Sequence, residues 1–68
     1  ILQVEIDEEL LSTVPKEKRK ALLTILENDP RPAYQNDESR VYGFQFGKLE
    51  IKFTVKDNHL KVTEIYEK

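Results

Sequence analysis

Val41-Tyr42-Gly43-Phe44-Gln45-Phe46-Gly47-Lys48-Leu49-Glu50-Ile51-Lys52-Phe53-Thr54-Val55 decides the fold of this chain. Tyr42, Phe44 and Phe46 alternate with Val41, Gly43 and Gln45, the period of a half-buried strand. Gly47-Lys48 is a two-residue hairpin turn, with glycine at the first central position as a type II′ turn requires. Such a turn pairs Phe46 with Leu49. It sets Leu49, Ile51, Phe53 and Val55 on the face of the three aromatics, and turns Glu50, Lys52, Thr54 and Lys56 away. Asp57-Asn58 is the next turn signal, and a last strand over about 60–66 carries Leu60 and Val62 inward. Strict alternation after Val62 would bury Glu64 and expose Ile65. Either a bulge shifts the phase, or Glu64 ends the core beside a partner. The bulge, or a frayed sheet edge, is preferred because an unpaired buried carboxylate costs several kcal/mol.

Upstream of the hairpin, Leu2, Val4 and Ile6 share one face of a first strand. Asp7 is placed to cap a helix, and Glu8 and Glu9 suit its first turn, where the dipole favours anions. Leu10, Leu11 and Val14 give that short helix an apolar stripe, which Pro15 interrupts. Pro15 in turn suits the first position of a second helix, running to about Asn28. Ala21, Leu22, Ile25 and Leu26 recur there at helical spacing and should face the core. Asn28, Asp29 and Pro30 stop it. The expected architecture is α+β: β-α-α-β-β-β, a small antiparallel meander with a helical pair on one face. The first strand joins the sheet beside a neighbour that the sequence does not fix.

The 68 residues make one domain, of a size that buries only about 60% of its unfolded surface. There is no cysteine, hence no disulfide and no thiolate metal site, which suits a cytoplasmic protein. Apolar runs are short and broken by charge, so no membrane span is expected. The net charge of −2 lacks the basic balance of an independent nucleic-acid binder, although charge can still gather locally. The chain opens at Ile1 inside an alternating pattern, and reads as part of a longer protein.

No nucleophile–base constellation, glycine-rich phosphate loop or metal-spaced cluster stands out, so no catalytic and no metal-binding residue is named. The lone His59 flanks a turn and is read as solvated. The loop Asp29-Pro30-Arg31-Pro32-Ala33-Tyr34 is different. Pro30 and Pro32 fix their own φ and restrict Asp29 and Arg31, so Arg31 sits on stiff backbone. A planar, permanently charged fork held this way suits phosphate or carboxylate. Tyr34 adds a hydroxyl and a stacking face, and Arg40 and Tyr42 fall close behind. The structural alternative is that Arg31 caps the helix carbonyls, Tyr34 packs on the core edge, and the prolines merely end the helix. Lys16, Lys18, Arg19 and Lys20 are candidate basic contacts, or else a solvated helix start.

The loop 29–34, followed by Arg40-Val41-Tyr42-Gly43 and the alternating strand 49–55, resembles the C-terminal domain of the TsaA-like (YaeB/TrmO) tRNA methyltransferase family. The resemblance covers nearly the whole chain. It implies a parent enzyme that uses S-adenosylmethionine to methylate N6 of threonylcarbamoyladenosine, next to the anticodon of tRNA. It also implies an N-terminal β-barrel domain that binds the cofactor and forms a homodimer. Residues 1–68 would then be a C-terminal accessory domain that positions tRNA and is inactive alone. Arg31, Tyr34, Arg40 and Tyr42 lie on the family's motif. The element order also looks like the RelE and ParE toxins, although a toxin ribonuclease needs a basic surface. A domain-packing module without RNA contact is the third reading.

Overall fold

A computed structural model describes residues 1–31 and 37–68. Its elements are β1 (Gln3–Glu5), α1 (Glu8–Leu11), a 3-10 turn (Lys16–Lys18), α2 (Arg19–Glu27), β2 (Tyr42–Phe46), β3 (Leu49–Lys56) and β4 (His59–Glu67). The four strands form one sheet in the order β1-β4-β3-β2. β2, β3 and β4 are the expected antiparallel meander, and β1 pairs in parallel with β4. The helical pair lies on one face, where α2 packs on β1 and α1 on β4.

The hairpin has the register that its turn dictates. Phe46 faces Leu49, Phe44 faces Ile51 and Tyr42 faces Phe53. Gly47 adopts φ 62°, a conformation with no Cβ penalty for glycine. Residue Asp57 of the second turn takes φ 55°, which a short polar side chain tolerates. The phase break in β4 is a bulge. Lys52 pairs with Glu64 but Phe53 pairs with Val62, so Thr63 is the extra residue. Glu64 is thereby exposed, and Ile65 is returned to the core opposite Ile51.

Asp7 caps α1 by accepting the Glu9 N–H at 3.3 Å. That helix closes earlier than Pro15 requires. Ser12 and Thr13 hydroxyls donate to the Glu9 and Leu10 carbonyls, each at 2.7 Å, and offer the chain an alternative to helical bonding. The second helix begins later than expected, because residues 16–18 form a 3-10 turn first. Its buried residues are Leu22 and Leu26. Ala21 and Ile25 are exposed, contrary to the expectation that they face the core; the sheet meets only a narrow stripe of this nine-residue helix. Leu22, Leu26, Val14, Ile51, Phe53, Val55, Leu60 and Val62 are the sealed centre. Among the described residues, no helix is long and apolar enough to cross a membrane.

The two faces of α2 should separate cleanly in denaturant titrations followed by circular dichroism. Leu22→Ala is expected to cost about 2–5 kcal/mol as a core truncation. Ile25→Ala, 39% exposed, should cost less than about 1 kcal/mol.

Candidate nucleic-acid interface

Asn28 caps the helix, donating through its backbone N–H to the Thr24 carbonyl at 3.2 Å and through its side chain at 2.8 Å. Asp29 then turns the chain with φ 61°, and Pro30 has no N–H to continue the helix. Arg31 does not cap the helix carbonyls, as the structural alternative had it. Its Nε donates to Asp29 Oδ1 at 2.8 Å and its Nη2 to Asp29 Oδ2 at 2.7 Å, a bidentate pair. The Arg31 backbone N–H also reaches Asp29 Oδ1, at 3.3 Å. The fork is thus oriented from two residues away, and its side chain is only 16% exposed.

Across the loop, Arg40 lies over the ring of Tyr42, 5.5 Å from its centroid, and is exposed. Tyr42 itself is buried. Its ring stacks on Phe53 with centroids 5.5 Å apart, and its hydroxyl accepts the Asp37 N–H at 3.2 Å. Asp37 caps the turn that leads to Arg40: Ser39 donates to its Oδ1 from both backbone N–H (2.9 Å) and hydroxyl (2.7 Å). Pro30 is half-buried. Pro32 and Tyr34 lie outside the described residues.

The basic run divides. Lys16, Lys18 and Lys20 are exposed, whereas Arg19 is half-buried and its Nε donates to the Val14 carbonyl at 3.0 Å, a structural tie. His59 is paired rather than simply solvated: its Nε2 lies 2.8 Å from Glu5 Oε1 and links β4 to β1. Sequence reasoning missed Glu50, which points away from the helices yet is only 8% exposed. Lys52 and Lys68 each come within 3.6 Å of its carboxylate. Gly43 was the available signal. A Cβ there would lie 2.8 Å from Glu50 Oε2 and 2.9 Å from Lys52 Nζ, so glycine clears the strand for both side chains. Among the described residues, no three His, Asp or Glu side chains gather as a metal site.

The fold is a small α+β domain in which Asp29 orients Arg31 and buried Tyr42 underlies Arg40. A family model described as the TrmO C-terminal domain matches residues 1–68. The chain belongs to that family, and its role lies within the TrmO-family tRNA methyltransferases. No curated protein and no solved structure matches it, so the RelE and ParE likeness remains an expectation from element order.

The Arg31 hydrogen bonds hold the Asp29 carboxyl below its ordinary value of 3.8, against the opposing effect of desolvation, and the Arg31 guanidinium is shifted up in return. A depressed carboxyl stabilises the fold above its unfolded value and loses that contribution as pH falls through the folded value. Asp29→Asn keeps a residue that tolerates φ 61° and removes the charge together with one acceptor of the bidentate pair. Urea titrations should show it less stable than the native chain by about 1 kcal/mol or less at pH 7, because the pair is partly exposed. The difference should vanish below the Asp29 folded pKa.

Proposed function

We propose that this domain positions tRNA for an S-adenosylmethionine-dependent methyltransferase that modifies N6 of threonylcarbamoyladenosine next to the anticodon, in a cytoplasmic setting. The family match over residues 1–68 supports the enzyme class. The observation that carries the positioning role is Arg40, an exposed residue whose guanidinium lies over the ring of buried Tyr42. Its anchoring lowers the entropy lost when a phosphate is bound. Arg40 is the contacting cation in this reading, while Arg31 is oriented by its bidentate pair with Asp29.

The cofactor belongs to another part of the enzyme. The chain's two glycines are committed elsewhere, Gly43 beneath Glu50 and Lys52 and Gly47 in a hairpin turn. No step of methyl transfer is assigned to these residues. An N-terminal β-barrel domain, dimeric in the full-length protein, is the proposed holder of S-adenosylmethionine. A purely structural role has one observation in its favour: Asp29, Arg31 and Tyr42 all make internal contacts.

Arg40→Ala in the full-length protein separates the two readings. Removing one phosphate contact should weaken tRNA binding about fivefold at physiological salt and lower the salt slope by about one. Methylation should fall at low tRNA concentration and recover at saturation. Unchanged affinity for both Arg40→Ala and Arg31→Ala, with the fold intact, would leave the structural role.

A further inference from the structure

The helical layer does not cover the whole sheet. With α1 packed on β4 and α2 on β1, the turn after Pro15 borders the closed end of the β2–β3 hairpin. A groove of about 260 Å³ opens there. Its apolar lining is Pro15, Phe46 and Leu49; Pro15 is exposed and the other two are half-buried. Lys18 stands on the helical side and Lys48, from the hairpin turn, on the other. Among the described residues, neither ammonium has a salt-bridge partner, and Glu67, which also lines the groove, pairs with neither.

Both walls are held in place. The turn is fixed by the Lys18 N–H on the Pro15 carbonyl at 2.9 Å, by fully buried Val14, and by Arg19 Nε on the Val14 carbonyl at 3.0 Å. The hairpin is fixed by Gly47 and by the Lys68 N–H on the Lys48 carbonyl at 3.0 Å. A built apolar slot between two unpaired cations favours a ligand that is flat and apolar in one part and anionic in another. A nucleotide has that chemistry: the base packs on Phe46 and Leu49 while its phosphates meet the lysines. The slot is also remote from the arginines. Four residue steps along β2 separate Tyr42 from Phe46, about 13 Å of extended chain.

We propose that the Lys18–Lys48 groove is a second RNA contact, taking an unpaired nucleotide of the tRNA bound at the arginine surface. The proposal rests on the tRNA-positioning reading above. The acidic alternative, a carboxylate-bearing segment of another protein domain, is an outcome of the test.

The test is tRNA binding by the full-length protein, with Lys18→Ala and Lys48→Ala combined. Both side chains are exposed, so the fold is preserved. Loss of two ionic contacts should weaken tRNA binding about tenfold at physiological salt and lower the salt slope by about two. A blunt-ended RNA duplex lacking unpaired nucleotides should bind the native and substituted proteins alike. Deleting the whole domain tells the two failures apart. If deletion lowers tRNA affinity and the double substitution does not, the groove is not an RNA contact while positioning stands. If neither matters, positioning itself falls. A drop in the protein's thermal stability without any change in tRNA affinity would assign the groove to a protein domain and overturn the proposal.

Discussion

The ring of Tyr42 joins the core of this domain to its charged surface. One face stacks on Phe53, which is fully buried and also meets the edge of Phe44 at 6.1 Å between centroids. Arg40 lies over the same ring, and the hydroxyl holds the Asp37 N–H. The return from α2 to the sheet is therefore pinned at the point where β2 begins. Any displacement of Tyr42 would open the core and release Arg40 together. In a domain this small, with a marginal stability to draw on, the same packing has to serve both purposes.

Most of the sheet was legible because strand period and turn chemistry are local. Gly47-Lys48 sets the hairpin register, and the misplaced Glu64 announced a bulge that Thr63 supplies. What was not legible depended on contacts distant in sequence. β1 pairs with β4 beside the Gln3 N–H on the Asn58 carbonyl at 2.9 Å, and the Leu2 N–H on the Glu27 carbonyl at 2.9 Å ties the strand's start to the end of α2. No local pattern contains those partners. Ile25 sits at core spacing on its helix yet outside the stripe the sheet reaches. Likewise, the burial of Glu50 follows from Lys52, Lys68 and the room above Gly43, which only the folded register brings together.

The arginine loop was singled out for its two prolines, and Arg31 is also oriented by a hydrogen-bonded partner. The prolines were visible; the Asp29–Arg31 fork is what the sequence concealed, although the two residues stand only two apart. Asp29 works there twice, turning the backbone at positive φ and orienting the guanidinium. A residue type that tolerates the left-handed region and carries a carboxylate meets both demands. The motif Arg40-Val41-Tyr42-Gly43 is likewise a mixture: Tyr42 and Gly43 serve packing, and Arg40 is what they present.

In the proposed positioning role, tRNA lies against the surface built on Tyr42. Amide hydrogen exchange of the full-length protein, with and without saturating tRNA, tests it most directly. Slower exchange in the peptides carrying Asp29, Arg31 and Arg40, with the interior of β3 unchanged, is the predicted result. Exchange in those peptides that is the same with and without bound tRNA would contradict it.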